Sequence, residues 1–226
     1  RGLGLDLAAG KALNHRCQRQ GPDATTALEV EGHVAVHNTL FITGAPTPQP
    51  IWQPKARLLV LFNGEIYNYR RFGKGLASDA LCIPEAYRRH GPRFAQHLDG
   101  EFAIVLLDFA ANGWVVTTDP FGTEPLWWNR GGGGNGLAVS SYGSALPARL
   151  KPTRFPPNTI RAGRIDTGVV AATWRTRAWD LTRQHKTRYD DWFRAFVRAI
   201  EKRAGGRGAG RVFVCLSGGY DSGAIC

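Results

Sequence analysis

Methionine is missing from all 226 residues, including position 1, and the chain runs from Arg1 to Cys226. A fragment cut at both ends is the expectation. Long apolar runs are missing too: none approaches the ~20 residues of a membrane-spanning helix, and no secretory leader is visible. A membrane partner is therefore not expected. Cysteine occurs four times, as Cys17, Cys82, Cys215 and Cys226, without a CxxC pair or regular spacing. That argues against a disulfide framework and against a zinc site, and it makes reduced thiols in a cytoplasmic setting the expectation.

Acidic residues are scarce in one region. Residues 149–211 hold 16 Lys and Arg against 5 Asp and Glu, which accounts for the whole net charge of +11. The basic residues are scattered singly rather than stacked on one periodic face, so a solvated basic surface is favoured over an anionic partner. Nucleic acid rests on charge alone and ranks last. A 43% hydrophobic content with 21% charged residues belongs to the soluble globular class, and the length suits one large domain or somewhat more.

Several stretches carry structure. A weak helical pattern covers Gly2–Arg16 and ends before Gly21–Pro22. Leu28, Val30, Gly32, Val34 and Val36 alternate with Glu29, Glu31, His33 and His37, which reads as a single half-buried strand with both histidines on its polar side, as surface residues rather than metal ligands. Proline-rich Gly44–Pro54 reads as a loop, and Arg57–Phe62 as an apolar strand. Ser78 reads as the cap of a helix over Asp79–Arg89, kinked at Pro84. Further strands are expected at Phe102–Leu107, Trp114–Thr118, Leu126–Asn129, Leu137–Ser141, around Ile160 and Ile165, and at Val169–Ala172. Many short strands with few helices point to a layered antiparallel α+β structure. Phe193, Phe196, Val197 and Ile200 then fall on one face of an amphipathic helix, Asp190–Arg203, and Gly205–Gly210 reads as a flexible link.

Two stretches carry chemistry. Asn63–Gly64 follows the Arg57–Phe62 strand and has two readings: a hairpin turn, or an amide side chain beside a glycine N–H, the pair of donors that a developing oxyanion requires. Val212–Leu216 reads as a buried strand that runs into Ser217–Gly218–Gly219, again with two readings, an ordinary strand-to-helix turn or a phosphate-holding loop.

The combination resembles the glutamine-dependent asparagine synthetase family. The residues that carry the resemblance are Gly21–Pro22–Asp23, Phe62–Tyr69 (FNGEIYNY), Ser78–Asp79, His90–Gly91, Leu98–Ala103, Asp119, Phe121–Gly122, Pro125–Leu126 and Ser217–Ser222 (SGGYDS). The resemblance implies a four-layer α-β-β-α sandwich of the N-terminal-nucleophile hydrolase type over residues 1–182, lacking its N-terminal strand. Residues 183–226 would then hold the first helix and strand of a truncated α/β ATP-pyrophosphatase domain.

It implies Asn63 and Gly64 as the oxyanion hole, and Glu65 and Asp79 as residues binding the glutamine backbone. Leu216, Ser217, Gly218, Gly219, Asp221 and Ser222 would be the ATP-binding loop. Glutamine-derived ammonia would pass to aspartate, activated by ATP and Mg2+ as an acyl-adenylate, giving asparagine, AMP and pyrophosphate. Homo-oligomerisation stays open.

The family's N-terminal cysteine nucleophile is not present in this chain, and Cys17, inside the leading segment, is no substitute. Thr39, Thr118 and Gln20 stand where the family has arginines, and Gly223 where it has a hydroxyl residue. An arginine lost at Thr39 removes a charge-assisted contact to the glutamine carboxylate worth roughly 1.5–3 kcal/mol. Two alternatives follow from these departures: a degenerate, non-hydrolytic glutaminase-like scaffold, or a synthetase relative that forms another amide such as a β-lactam.

Overall fold

The computed structural model describes residues 6–41, 45–129, 136–180, 182–184, 186–204 and 213–226. The Gly131–Gly134 run, the Gly205–Gly210 link and Val212 lie outside them. The helices are α1 (Leu7–Asn14), α2 (Ile83–His90), α3 (Asp190–Ala204) and α4 (Tyr220–Ile225). The strands are β1 (Ala24–Val30), β2 (His33–Thr39), β3 (Ile51–Gln53), β4 (Leu58–Ile66), β5 (Gly100–Asp108), β6 (Gly113–Thr118), β7 (Trp127–Trp128), β8 (Val139–Ser140), β9 (Thr153–Arg154), β10 (Ile160–Arg164) and β11 (Val170–Trp174). The chain divides into two compact units, residues 1–40 with 46–178, and residues 41–45 with 179–226.

The first unit is an α+β structure built on a six-stranded antiparallel sheet in the order β11-β10-β6-β5-β4-β3. Its strands are apolar on both faces because each face is covered. Val60, Phe62, Ile66, Phe102, Ile104 and Ile160 turn toward α2 and the 3-10 turns around it, with Ile83, Ala86 and Phe94. Leu59, Ala103, Leu107, Trp114 and Val116 turn the other way, toward Leu126, Trp128 and Phe155 of the β8-β7-β9 region and Ala35 of the β1-β2 hairpin. Arg161 bridges these layers, its guanidinium 4.5 Å from the Trp128 ring centroid and 5.5 Å from that of Phe155. On the far side of the hairpin lies α1, with Gly10 against Val34 and Val36 and a reciprocal amide pair, Asn14 with Asn38, at 2.8 Å.

Three local expectations change. The alternation over residues 28–37 is two strands, not one. Glu31 and Gly32, at φ 52° and 74°, form a two-residue hairpin turn, and Leu28 faces Ala35. The turn reverses the chain, so His33 and His37 share a face with Leu28 and Ala35 instead of lying opposite them. His37 is therefore not a surface residue, and burial pushes its imidazole down to about 4.

Second, the loop read over residues 44–54 contains β3, where Ile51 pairs with Val60. Third, Pro84 does not kink a helix. Asp79–Cys82 is a 3-10 turn, α2 begins at Ile83 with Pro84 in its first turn, and the Ser78 hydroxyl makes no cap bond.

The buried imidazole predicts a pH effect. The unfolded chain protonates His37 near pH 6.5 and the folded chain near about 4, so between these values the unfolded state holds more protons. His37 supports full stability above pH 6.5, and that support falls away as pH drops toward 4, a loss of roughly 3 kcal/mol. Urea unfolding midpoints between pH 7 and 4 should drop steeply in wild type and less in His37→Gln. Equal slopes would refute the assignment.

In the second unit, α3 matches the amphipathic pattern, with Asp190 and Asp191 in its first turn and Lys202 and Arg203 in its last, as the helix dipole favours. Of the strand expected at Val212–Leu216, described residues 213–216 belong to no strand, and Phe213 and Leu216 are 83% and 68% exposed. An apolar run becomes a strand only where another strand pairs with it, and none does so here among the described residues.

Candidate active site

The β4–β5–β6 face directed at the second β layer changes character along its length. Leu59 and Leu61, Val105 and Leu107, and Trp114 and Val116 are apolar. Beyond them Asn63 pairs with Ala103, Ala103 with Thr118, and Glu65 with Glu101. A polar cluster thus caps the apolar layer.

Asn63–Gly64 is not a hairpin turn, since β4 continues through it to Ile66. Gly64 is required by two constraints. Its φ of +127° is rarely adopted by L side chains, and a Cβ there would lie 1.9 Å from the Glu101 carbonyl oxygen. The Ile66 N–H leaves the β4 edge to reach Asp79 Oδ2 at 2.7 Å, and strand parity puts the Gly64 N–H on that same edge. Asp79 also accepts from the Ala80 N–H at 2.9 Å, yet burial raises its carboxyl above the usual range. Asn63, Gly64, Glu65 and Asp79 are therefore gathered around the end of one strand.

The stretch after β4 is clamped. The Tyr67 N–H donates to the Asp99 carbonyl at 2.8 Å. The Asn68 amide donates to the His97 carbonyl and accepts from the Asp99 N–H, both at 2.9 Å. Leu98–Ala103 is thus the partner strand and lead-in of the Phe62–Tyr69 stretch. Gly21–Pro22–Asp23 similarly lines the end of β2, where the Asp23 N–H donates to the Thr39 carbonyl at 3.1 Å.

Two acidic residues do work that the sequence does not assign them, although Asp119 is among those that carry the family resemblance. Asp119, 1% exposed, accepts from the N–H groups of Phe102 (3.2 Å), Phe121 (2.8 Å) and Thr123 (2.9 Å), and from the Thr123 hydroxyl (3.1 Å). It folds the 119–125 loop onto the start of β5. Glu124, on that loop, accepts a hydrogen bond from Asn63 Nδ2. Burial raises the Glu124 carboxyl, as do the charges of Asp119 and Glu101, while the Asn63 bond opposes them. A lone glutamate in a loop has no periodicity or spacing to mark it.

Thr39 and Thr118 are both buried, and the Thr118 hydroxyl donates to the Pro156 carbonyl at 2.9 Å. Cys82 is fully buried, its thiol pushed up to about 12 by burial and the Asp79 charge. Cys17, half-buried, has its thiol raised by burial, with the Ser140 hydroxyl 3.9 Å away. Neither is an activated thiolate.

In the second unit the expected ATP loop closes on itself. The Ser217 N–H donates to the Ser222 hydroxyl at 3.0 Å, the two hydroxyls are 2.9 Å apart, and the Gly219 N–H donates to Ser217 Oγ at 3.2 Å. Ser217, Gly218 and Gly219 thereby form an exposed lead-in tied to the first turn of α4, which holds Asp221 and Ser222, with Leu216 exposed before it.

The polar strand end and its clamped loops sit within a match to the glutamine amidotransferase domain model, which covers residues 7–160. The chain belongs to the glutamine amidotransferase domain family. Among relatives, it is 34% identical over 162 residues to a glutamine-hydrolysing asparagine synthetase of Sandersonia aurantiaca, covering 67% of this chain and 30% of the relative. It is 30% identical over 221 residues to one of Brassica oleracea, covering 93% and 37%. The chain thus spans about a third of the length of these relatives. The solved glutamine phosphoribosylpyrophosphate amidotransferase from B. subtilis, complexed with ADP and GMP, aligns over 65% of this chain and 35% of its own, with a TM-score of 0.48 and 21% identity. Among the described residues no helix is long and apolar enough to cross a membrane.

Proposed function

We propose that this chain carries the glutamine-hydrolysing half of an asparagine-synthetase-type amidotransferase, with an N-terminal-nucleophile hydrolase type of layering, joined to the beginning of its ATP-binding half. The observation that carries the reading is the grouping of Asn63, Gly64, Glu65 and Asp79 at one strand end, in a member of the glutamine amidotransferase domain family. The Asn63 amide and the Gly64 N–H stabilise the oxyanion as the glutamine amide is attacked. Glu65 and Asp79 hold the α-ammonium, and the direct pairing of Glu65 with Glu101 concentrates negative charge beside it. Neither Cys17 nor Cys82, whose thiols burial raises, suits the nucleophile's part.

The fit of the 216–222 loop to a pyrophosphate rests on its two closely spaced hydroxyls, and Asp221 offers a carboxylate for magnesium. ATP held there with magnesium would activate the aspartate carboxylate as an acyl-adenylate with release of pyrophosphate, and attack of ammonia on that acyl carbon would form asparagine and release AMP.

Glutamate and ammonia release from L-glutamine by the full-length protein tests the reading. Asn63→Ala should lower kcat about 10²–10³-fold, and Glu65→Gln should raise KM. A second reading, a non-hydrolytic scaffold, is favoured by buried Thr39 and Thr118 in place of family arginines, the one at Thr39 being that which pairs with the glutamine carboxylate. Asparagine formation from free ammonia but not from glutamine would select that reading over the first.

A further inference from the structure

We propose that Glu124 is the positioning residue for the Asn63 carboxamide, fixing which end of that amide faces the ligand. For the use made of the amide, this rests on the glutaminase reading; the contact itself does not. The two ends of an asparagine side chain are nearly equal in shape and opposite in hydrogen-bonding sense, and the χ2 torsion that exchanges them is soft. An ionised carboxylate only accepts. Because Asn63 Nδ2 donates to Glu124 Oε2, a flipped amide would lose a charge-assisted bond and set its carbonyl oxygen against carboxylate oxygen. A preference of at least about tenfold for the observed orientation follows. One Nδ2 hydrogen is held by Glu124, and the other stays directed at a substrate oxygen.

Glu124 is itself held. The loop that carries it is gathered onto Asp119 by the Phe121 and Thr123 N–H groups, and Asp119 is anchored to the Phe102 N–H, one residue before the Ala103 that pairs with Asn63. A closed path therefore runs from Asn63 through Glu124, the loop and Asp119 back to the neighbouring strand. The groups that bear on the Glu124 charge are Asp119, Glu101 and Asn63. Protonation would give Glu124 a donor of its own and release the constraint on the amide.

Side-chain NMR of the 15N-labelled chain tests the contact, with the Asn63 NH2 signals identified by their loss in Asn63→Ala. The two Asn63 amide protons should be well separated and should follow the titration of Glu124. Glu124→Leu should collapse the separation and abolish the titration while the backbone spectrum stays dispersed. Where Glu124→Leu does not fold, Glu124→Gln is the readout, since it keeps an acceptor but must lose the titration.

In the full-length protein, Glu124→Leu should lower kcat for glutamine hydrolysis about 10²-fold, with KM within about threefold. Partial rescue of kcat by Glu124→Gln, without the wild-type pH dependence on the acid side, is expected. Asn63 signals indifferent to Glu124, or a raised KM with unchanged kcat, would overturn the proposal. Absence of glutamine hydrolysis in wild type would refute the glutaminase reading alone, and the NMR result would still decide the contact.

Discussion

Gly64→Ala should cost roughly 3–5 kcal/mol, a large part of the 5–15 kcal/mol that holds a typical domain together. The added methyl would meet the Glu101 carbonyl oxygen at 1.9 Å and the Phe102 Cα at 2.8 Å, both backbone atoms of the neighbouring central strand. Neither can move aside without parting β4 from β5, which pair over nine residues from Leu58–Asp108 to Ile66–Gly100. The backbone dihedral adds strain, because φ of +127° is a glycine conformation.

Gly75→Ala is the matched control. Gly75 also has a positive φ, +70°, but nothing lies within 4 Å of a Cβ there, so the cost should be only about 1–2 kcal/mol. Urea denaturation of both variants measures the difference. If Gly64→Ala were no worse than Gly75→Ala, the close strand approach at Gly64 would not be what selects glycine.

Asp119→Ala should be comparably damaging, by roughly 3–4 kcal/mol. The carboxylate is 1% exposed and accepts four hydrogen bonds, three from backbone N–H groups with no alternative acceptor supplied by alanine. Asp119→Asn keeps one oxygen and turns a donor toward the N–H groups that met the other, so a smaller loss of about 2 kcal/mol is expected.

Hydrogen exchange locates the effect: the Phe102, Phe121 and Thr123 amides should lose protection first. Because Asp119 holds the loop that carries Glu124, the Asn63 amide signals should shift as well. Uniform loss of protection with those three amides unexceptional would refute the role given to Asp119.

How much of this could be read from the chain follows from the range of each interaction. β5 and β6 agree with their patterns to within about two residues, because each buries apolar side chains whose spacing is local, and α3 follows its helical period although none of its residues is buried. The gathering of Asn63, Gly64, Glu65 and Asp79 was visible as a set of residues, though not as a geometry. The β1-β2 hairpin was hidden because apolar alternation persists across the Glu31–Gly32 turn, and that concealed which face His37 occupies. β3 was hidden because a three-residue strand beside prolines has no pattern of its own and exists through Val60. At 213–216 the reverse holds, an apolar pattern with no strand partner among the described residues.

The sequence by itself determined the family, the α+β class and the residue types at the candidate site, since these depend on composition, local periodicity and motif order. Only the tertiary structure decided that Asn63–Gly64 lies inside a strand rather than a turn, that His37 faces the core, and that Glu124 holds the Asn63 amide. Each depends on hydrogen bonds or burial between residues far apart in the chain. Asn63 and Glu124 are 61 positions apart, and no spacing rule relates them. They meet because Asp119 folds one loop back onto the end of the strand next to β4.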